Sequence, residues 1–355
     1  MKNKKAMIAM SGGVDSSVAA YLTLSEGFTC AGGTMRLYDG EEATCGSMES
    51  VKDARSVADH LGIPFYVFNN TGEFRCRVID DFVAAYEQGL TPNPCVRCNR
   101  HLKFSSFVEQ AKALGYDSVV TGHYARIEQD PATGRYLLYK AVDSAKDQSY
   151  FLYALSQQQL SHILFPLGRY TKEQIRAIAL EQGFVNARKR DSQDICFVPD
   201  GDYLAFLQRY TKKNYPQGNF LDLDGKVVGK HNGAVGYTLG QRKGLGLAMG
   251  APVYVCAKNM DANTVTVGPN EALFHTTLMA DDWFFFPFET LTAPMRVKAK
   301  TRSRMIEQPA TVYPEANGVC RVVFDEPQRA ITPGQAVVLY DGDLVVGGGT
   351  ITKVL

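Results

Sequence analysis

Apolar and polar positions in the first half of the chain form short apolar runs that alternate with longer amphipathic segments. The run AMIAM (6–10) predicts a strand, and residues 15–24 predict a helix that ends near Gly27. Further strands are predicted in FTCAGGTMRLY, PFYVFN and SVVTGHYARI, and further helices over 50–61, 73–88 and 102–114. Strands that alternate with helices of this length are typical of βαβ units around a parallel sheet, so we expect an α/β fold.

The pattern changes in the second half of the chain. RIEQDPATGRYLLYKA (126–141) predicts a hairpin, and helical segments are predicted at 150–160, 171–182 and 202–210. From Lys213 onward, short β patterns such as GKVVG and NTVTVG alternate with glycines, which is typical of small β domains or barrels. A second boundary is predicted near residues 270–274. We therefore expect three domains: 1–210, a small β-rich central domain at 211–270, and a C-terminal β-barrel at 271–355.

Composition narrows the class of protein. The chain has 355 residues, of which 45% are hydrophobic and 21% charged, as in ordinary globular proteins and unlike disordered ones. No segment approaches the roughly 18–20 uninterrupted apolar residues that a membrane span requires. With 38 Lys+Arg against 37 Asp+Glu, the net charge of +1 argues against a uniformly basic nucleic-acid-binding protein. It leaves room for local basic stripes.

The cysteines and the first residues indicate a reducing compartment. AMIAM is shorter than the apolar core of a secretory signal, and the chemical motifs begin at Ser11, so we expect no leader and a cytoplasmic location. Eight cysteines in this length are too sparse for a disulfide scaffold, which makes closely spaced cysteines candidates for catalysis or metal binding. Five others are predicted to be buried packing residues: Cys30, Cys45, Cys76, Cys256 and Cys320.

The heptad SGGVDSS (11–17) joins the first predicted strand to the first helix. Its two glycines allow a tight turn, and the helix N-terminus supplies free N–H groups for an anion. It lacks the lysine of the Walker loop, so it suits a pyrophosphate held by N–H groups, hydroxyls and Mg²⁺. The plainer alternative is a strand–helix turn in which Asp15 and the serines cap the helix. The heptad resembles the PP-loop of the ATP pyrophosphatases, whose fold is that of the adenine nucleotide alpha hydrolases.

Two separate segments carry the remaining candidate thiols. TPNPCVRCNRHLKF (91–104) contains Cys95 and Cys98, and a helix is expected to begin just beyond them. A helix N-terminus and the nearby Arg97 and Arg100 would lower the pKa of the Cys98 thiol. RDSQDICFVPDGDY (190–203) contains Cys196 among polar residues. Half of a structural zinc site and inert thiols are the alternatives, although no second C-x-x-C and no His-x₃₋₅-His pair accompanies them.

Seven segments in order carry a closer resemblance. They are SGGVDSS, TPNPCVRCNRHLKF, TGHYAR, KDQSYFL, RDSQDICF, GYTLGQRKGLG and TPGQAVVLY. Across almost the whole chain, this sequence resembles the bacterial tRNA-specific 2-thiouridylases, the MnmA family. The resemblance implies ATP-dependent 2-thiolation of the wobble uridine in tRNAs for Lys, Glu and Gln, with sulfur from a cysteine desulfurase or relay protein.

The resemblance also implies roles for particular residues. Cys98 would be the nucleophile and Cys196 the persulfide carrier, with a transient disulfide between them. ATP would be bound by Ala9, Met10, Ser11, Gly12, Gly13, Val14, Asp15, Ser16, Met35 and Gly122. The target base would lie against Asn93, Pro94 and Cys95, and other tRNA contacts would be His123, Lys146, Asp147, Gln148, Arg302, Ser303 and Gln335.

Cys95 departs from the family pattern, in which many members have Asp at this position. Three thiols, Cys95, Cys98 and Cys196, could hold three corners of a [4Fe–4S] cluster. Our hypothesis is that this variant can carry such a cluster, while direct persulfide chemistry is the favoured interpretation.

RVKAKTRSR (296–304) predicts the surface that binds RNA. Arg296, Lys298, Lys300, Arg302 and Arg304 recur at a spacing of two, which on one strand would place five cations on one face and Val297 and Ala299 toward a core. Such a face suits a polyanion, although a solvated strand face is the alternative. Further candidate phosphate contacts are Arg188, Lys189, Arg190, Arg242 and Lys243.

Two rival functions remain open. One is another PP-loop ligase that modifies a nucleobase, and the basic strand and remote cysteine pair count against it. The other is a catalytically idle, nucleotide-gated tRNA-binding protein, against which the heptad and both cysteines count.

Overall fold

The computed structural model describes residues 4–38, 47–189 and 195–355. Cys45, Arg190 and the RDSQD part (190–194) of the second cysteine segment lie outside the described residues. Three sheets organise the chain: a five-stranded parallel sheet, a four-stranded sheet, and a large antiparallel sheet that closes into a barrel. The predicted α/β class, parallel N-terminal sheet, β-rich centre and C-terminal barrel are confirmed.

The N-terminal sheet has the strand order β3-β2-β1-β4-β7, and all its pairs are parallel. Its central strand reads KAMIA, and Ala6, Met7 and Ile8 are fully buried because helices cover both faces of a parallel sheet. The strands up to residue 164 are β1 (Lys5–Ala9), β2 (Thr29–Arg36), β3 (Phe65–Asn69), β4 (Ser118–Val120), β5 (Ala125–Gln129), β6 (Tyr136–Lys140) and β7 (Ile163–Leu164).

The main helices pack against this sheet or extend from it. They are α1 (Val14–Ser25), α2 (Met48–His60), α3 (71–87), α4 (94–113), α5 (Gln157–Leu160), α6 (Lys172–Glu181) and α7 (Tyr203–Thr211). Two of them contain a widened π-helical stretch, Arg75–Ile79 in α3 and Asn99–Ser106 in α4. Within the described residues, no helix is long and apolar enough to cross a membrane.

The central sheet has the order β10-β11-β8-β9, and the C-terminal strands form a closed barrel in the order β12-β15-β14-β13-β16-β17. Antiparallel pairing of β12 with β17 closes it. The remaining strands are β8 (Gly218–Leu221), β9 (Val227–His231), β10 (Tyr254–Asn259), β11 (Thr264–Gly268), β12 (Phe274–Phe285), β13 (Met295–Lys300), β14 (Gln308–Pro314), β15 (Cys320–Arg329), β16 (Ala336–Asp341) and β17 (Leu344–Val354).

The predicted strand SVVTGHYARI is in fact two strands in two different sheets. β4 ends at Val120, and β5 pairs with β6 in the predicted hairpin, which joins the barrel where Tyr139 lies opposite Leu344 of β17. In the turn between β4 and β5, a backbone N–H bonds to a side chain and not to another strand: the Tyr124 N–H donates to the Gln148 side chain at 3.0 Å. The chain therefore leaves one sheet and enters the other within four residues.

Two predicted helices differ in extent. The helix expected at 102–114 begins eight residues earlier, at Pro94, because the Asn93 side chain accepts a hydrogen bond from the Cys95 N–H and proline suits a first helical position. The helix expected at 150–160 is instead two short pieces. The first is a 3₁₀ turn, Ser149–Phe151, and the second is the single turn of α5, which has Ser156 as its N-cap. Buried side chains from Leu152 to Leu155 occupy the core between them.

Candidate functional site

The loop between β1 and α1 forms a tight turn, in which the Ser11 N–H donates to the Ser16 hydroxyl at 3.2 Å. Gly12 has φ +74, and its α-carbon lies so close to α2 that an added Cβ would stand 2.3 Å from the Ser50 carbonyl oxygen. Gly13 precedes α1 in an extended conformation and gives the helix no side-chain cap. The Ser16 and Ser17 hydroxyls each donate to the Gly13 carbonyl at 3.0 Å. The first N–H groups of α1 are thus available to an anion.

A cavity of about 300 Å³, here called the loop cavity, opens at this turn. Its wall contains most of the predicted ATP-binding residues, whereas Gly12, Gly13 and Val14 shape the turn without lining it. Gly122 closes one side, since a Cβ there would stand 2.8 Å from the Asp15 carbonyl carbon. The lining residues are Ala9, Met10, Ser11, Asp15, Ser16, Gly33, Thr34, Met35, Leu37, Lys103, Thr121, Gly122, His123 and Gln148.

An ion pair holds Asp15 in the wall of the loop cavity. The Lys172 ammonium donates to both Asp15 carboxylate oxygens, at 2.7 and 2.9 Å, and the Tyr124 hydroxyl donates to one of them at 2.8 Å. The Lys172 side chain is 10% exposed and that of Asp15 is 31% exposed. Neither Lys172 nor Tyr124 was predicted, because α6 reaches α1 only through the tertiary fold.

We expect Lys172→Met to destabilise the protein by about 3 kcal/mol, because removing one partner of a half-buried ion pair leaves the other charge poorly solvated. Urea unfolding followed by circular dichroism measures the change. The matched control is Lys213→Met, since Lys213 pairs with Glu87 at 2.7 Å but its side chain is 59% exposed. The control should leave the midpoint nearly unchanged. Equal midpoints for the two variants would contradict the role assigned to the Lys172–Asp15 pair.

His123, predicted to contact tRNA, lines the loop cavity. Its Nδ1 lies 2.6 Å from the Thr121 hydroxyl, and its ring packs against Phe104 and Phe165. Burial, and then the charge of Lys103, hold the pKa of His123 well below its usual range. The imidazole is therefore neutral at physiological pH where it lines the loop cavity.

The C-x-x-C segment forms the first two turns of α4. Cys95 is the second residue of the helix and is exposed, whereas Cys98 is 8% exposed. The prediction that Cys98 precedes a helix is therefore wrong, and the dipole at the helix start acts on Cys95. The two nearby arginines are already ion-paired, Arg97 with Asp81 at 3.4 Å and Arg100 with Asp282 at 2.6 Å.

Cys98 and Cys196 belong to one hydrophobic cluster, although about one hundred residues separate them in the chain. Cys98 is a buried member, and the half-buried Cys196 packs against the cluster. We call this group of side chains the cysteine cluster. It contains Leu37, Phe74, Val78, Ile79, Phe82, Val83, Tyr86, Cys98, Leu102, Phe197, Val198, Phe206, Leu207 and Val235, with Met35, Ile195, Cys196 and Tyr203 among the half-buried residues packed on it.

A second and larger cavity, of about 1040 Å³, lies between the N-terminal domain and the barrel; we call it the large cavity. Gln148 lines both cavities. The large cavity is lined by Tyr86, Thr91, Pro92, Asn93, Pro94, Cys95, Ser144, Ala145, Lys146, Asp147, Gln148, Phe151, Ile195, Tyr203, Lys298, Lys300, Ser303, Arg304, Met305, Ile306, Glu307 and Gln335.

The cysteine cluster borders both cavities. Met35 and Leu37 line the loop cavity, while Tyr86, Ile195 and Tyr203 line the large one, and all five belong to or pack on the cluster. Cys98 and Cys196 line neither cavity themselves, but the cluster that contains them supplies wall residues to both. This arrangement suits a reaction between a ligand of one cavity and a ligand of the other, with thiols close to both walls.

Several residues predicted to contact tRNA also hold the wall of the large cavity together. The Asp147 carboxylate accepts hydrogen bonds from the N–H of Ala141 at 3.0 Å and the hydroxyl of Ser149 at 2.8 Å. The Gln335 side chain donates to the Thr91 carbonyl at 2.8 Å, which ties the barrel to the segment before Cys95. Their polar atoms are thus engaged within the protein.

Arg302 is not among the residues that line the large cavity. Its guanidinium donates to the Ala330 carbonyl at 2.9 Å and to the Leu239 carbonyl at 3.3 Å, which links the barrel to the central domain. Burial lowers the pKa of Arg302. Its neighbour Ser303 does line the cavity.

The expected face of five cations on one strand is wrong beyond Lys300. β13 ends there, and a turn carries Arg302 inward and Arg304 outward. Within β13 the alternation holds, with Val297 and Ala299 buried. Arg296 pairs with Asp325 of β15, and Lys300 lies 3.6 Å from Glu307 in the turn after β13, so acids outside β13 neutralise part of the charge.

The other cysteines and basic residues divide by environment. Cys30 and Cys320 are buried, as predicted, and burial raises the pKa of each to about 11. Cys256 is half-buried, and the prediction for Cys76 is wrong, because α3 presents it to solvent. Lys189 pairs with Asp53 at 2.7 Å, whereas Arg242 and Lys243 are exposed.

Three family models match successive parts of the chain. They are described as the tRNA methyl transferase HUP domain over residues 4–200, the tRNA methyl transferase PRC-barrel domain over 204–269, and the aminomethyltransferase beta-barrel domain over 275–351. The matched ranges follow the three sheets in order.

Full-length relatives are also similar. A protein of Clostridioides difficile (strain 630) is 50% identical over 358 residues, covering 99% of each chain. One of Acetivibrio thermocellus is 50% identical over 99% of this chain and 100% of its own. Both are called tRNA-specific 2-thiouridylase MnmA. A solved 4-thiouridine synthetase–RNA complex with bound ATP is 18% identical, with a TM-score of 0.35 over 55% of this chain and 45% of that chain, too weak a likeness to support an inference.

Proposed function

This chain belongs to the MnmA family of tRNA-specific 2-thiouridylases, and we propose that it uses ATP to replace the C2 oxygen of the wobble uridine in tRNA by sulfur. The observation that carries the proposal is the place of the cysteine cluster between the loop cavity and the large cavity. We assign residues 1–210 to ATP binding and catalysis, 211–270 to a central β-rich domain, and 271–355 to tRNA binding by the barrel.

ATP would bind in the loop cavity. The uncapped N–H groups of α1 and the Ser11 hydroxyl would hold its phosphates, the Ser16 hydroxyl would turn from the Gly13 carbonyl to join them, and Met35 and Gly122 would lie at the adenosine. Lys103 lies in the same wall and supplies the positive charge that the loop itself lacks. Mg²⁺ is usually held by one or two carboxylates together with the nucleotide phosphates, and Asp15 offers such a carboxylate; the ion would neutralise the pyrophosphate as it leaves.

The first chemical stage would be adenylation. The uridine C2 oxygen attacks the α-phosphorus of ATP, a P–O bond forms, and pyrophosphate leaves. The product O-adenylate carries AMP as a good leaving group at C2. For this step the base must leave its anticodon stack and enter the large cavity against Asn93, Pro94 and Cys95, with Lys146 and Ser303 in the surrounding wall for the phosphate backbone.

The second stage would be sulfur transfer. The terminal sulfur of a Cys196 persulfide attacks C2 and displaces AMP, and the Cys98 thiolate then attacks the Cys196 sulfur. The S–S bond to the transferred sulfur breaks, 2-thiouridine is released, and a Cys98–Cys196 disulfide forms, which an external thiol reduces. In a second order of events, Cys98 attacks first and releases the terminal sulfur as sulfide, which then attacks C2 and displaces AMP.

The sulfur source and the setting follow from this chemistry. A persulfide on Cys196 requires a donor that carries sulfane sulfur, so we propose a cysteine desulfurase or a sulfur-relay protein as the partner. Thiols that must return to the reduced state suit a reducing compartment, so we propose a cytoplasmic location. The tRNAs for Lys, Glu and Gln are the proposed substrates.

The iron–sulfur hypothesis finds little support in the arrangement of the thiols. Among the described residues, no three His, Cys, Asp or Glu side chains lie close enough together to hold one metal ion. Cys95 is exposed at the start of α4, whereas Cys98 is buried within the cysteine cluster. We therefore propose a reaction in which the cysteines act as free thiols and persulfides. The cluster hypothesis would be supported if anaerobic reconstitution with iron and sulfide gave a stable visible absorbance band that Cys95→Ser protein lacked.

Mass spectrometry of digested tRNA tests the proposed function. The protein is incubated with unmodified tRNA, ATP and a persulfide donor, and we expect 2-thiouridine together with AMP and pyrophosphate. Omission of ATP is the control, because the C2 oxygen is then not activated. ADP in place of AMP, or no 2-thiouridine at all, would contradict the proposal; tRNA binding without thiolation would favour the catalytically idle alternative.

A further inference from the structure

A carboxylate lies between two lysines beside the large cavity. Glu307 Oε1 is 2.6 Å from the Lys140 ammonium and 3.6 Å from that of Lys300. Lys140 belongs to β6 of the N-terminal hairpin and Lys300 to β13 of the barrel, so the three charges meet where the two domains join. The side chain of Glu307 is 15% exposed, that of Lys140 18% and that of Lys300 14%.

The two ammonium groups are held in place by contacts other than Glu307. Both lie over the ring of Tyr340, Lys140 at 4.8 Å and Lys300 at 5.1 Å from its centre. Tyr340 is fully buried, and its hydroxyl lies 3.4 Å from that of Ser149. Lys140 also donates to the Gly342 carbonyl at 2.8 Å. The aromatic ring therefore supports a pair of neighbouring cations.

Two ammonium groups that lie over the same aromatic ring repel each other, so an oxyanion between them is favourable. Glu307 supplies one from a segment, 301–307, that lies outside regular strand structure. Lys300 and Glu307 line the same cavity as Asn93 and Cys95, where the proposed function places the target nucleotide. A phosphate of the RNA backbone that enters this cavity carries the same kind of oxygen ligands as the carboxylate, so the two compete for one position.

We propose that Lys140 and Lys300 form a subsite for a backbone phosphate of tRNA, and that Glu307 occupies this subsite as an internal anion until tRNA displaces it. The inference rests on the proposed function, because it takes tRNA as the ligand of the large cavity. Displacement of Glu307 lowers the affinity for tRNA, and its return speeds the release of product. When no tRNA is bound, Glu307 neutralises part of the charge of the two lysines.

The test compares Glu307→Gln with Asp325→Asn in the full-length protein. Each variant removes one carboxylate from an ion pair of the barrel, and Asp325 pairs with Arg296 outside the large cavity. Binding of unmodified tRNA is measured by fluorescence anisotropy across a series of salt concentrations. We expect Glu307→Gln to bind about fivefold more tightly and to dissociate more slowly, because the competing anion is gone. Asp325→Asn should match the wild-type protein.

Lys300→Met supplies a second and independent measurement. It should weaken tRNA binding and reduce the slope of log affinity against log salt by about one, the value for one lost phosphate contact. Thermal unfolding of each variant reports its folding. Equal tRNA affinities for Glu307→Gln and Asp325→Asn, or an unchanged slope for folded Lys300→Met protein, would overturn the subsite.

The outcomes separate this inference from the proposed function. Wild-type protein that bound tRNA without forming 2-thiouridine would contradict the function, and the comparison of affinities would still decide the subsite. Normal thiolation with no gain in affinity for Glu307→Gln would overturn the subsite alone. Absence of tRNA binding by every variant would overturn both.

Discussion

Cys98→Ser and Cys196→Ser proteins are expected to lose 2-thiouridine formation by at least about a thousandfold, as is typical when a covalent catalyst is removed. Each thiol carries a different bond in the proposed transfer: Cys196 holds the incoming sulfur, and Cys98 breaks the S–S bond to it. A serine hydroxyl can neither carry the incoming sulfur as a persulfide nor attack the S–S bond. Single-turnover assays, with mass spectrometry of the nucleosides, measure the loss.

The matched control is Cys76→Ser, since Cys76 is exposed on α3 and lines neither cavity. It should thiolate tRNA at the wild-type rate. Pyrophosphate release gives a second readout, because adenylation precedes sulfur transfer and needs neither thiol; pyrophosphate should still form in the first turnover, whereas AMP should remain bonded to the uridine as the O-adenylate. Unchanged thiolation by either active-site variant would remove the persulfide mechanism. Loss of thiolation in the Cys76→Ser control would point to a general effect of cysteine replacement.

Gly12→Ala is expected to destabilise the protein by about 3 kcal/mol and to weaken ATP binding at least about tenfold. Two costs add: the left-handed backbone at φ +74 disfavours any residue with a Cβ, and the new methyl would stand 2.3 Å from the Ser50 carbonyl oxygen. Relief of that contact requires the loop to move away from α2, which displaces the N–H groups that we propose bind phosphate. Urea unfolding and calorimetric titration with ATP measure the two effects.

Gly27→Ala separates those two costs. Gly27 has φ +83, close to that of Gly12, but an added Cβ there meets no atom within 4 Å. It should cost about 1 kcal/mol and leave ATP binding unchanged, because only the backbone term applies. Equal destabilisation by the two variants would show that the contact with Ser50 carries no energy. Wild-type ATP affinity in folded Gly12→Ala protein would contradict the position given to the loop.

Local sequence patterns predicted the fold well where an element has the same kind of neighbours along its whole length. The run AMIAM was predicted to be a strand, and its residues Ala6, Met7 and Ile8 are fully buried at the centre of the parallel sheet. SVVTGHYARI was misread because a continuous β pattern does not reveal that its two ends pair in different sheets. The basic strand was misread because the spacing of cations continues through a turn, where it no longer reports a face.

The site shows the same limit. The loop and the two cysteine segments were visible as motifs, and the structure gathers Cys98 and Cys196 into one cluster that also supplies wall residues to the loop cavity. Lys172, which holds Asp15, comes from a distant helix and belongs to no motif. Glu307 stands just outside the basic segment that it neutralises. Partners of a charge can be found only when the tertiary contacts are known.

The hairpin of β5 and β6 has a consequence for synthesis on the ribosome. It precedes most of the chain, yet its barrel-side neighbour is β17, which emerges roughly two hundred residues later. During that interval the nascent N-terminal domain carries a strand edge with unpaired hydrogen-bonding groups, a surface prone to misassociation. Pairing of the outer edge of β6 therefore waits until β17 has been translated. A polypeptide released early would lack the second wall of the large cavity and could not bring tRNA to its thiols.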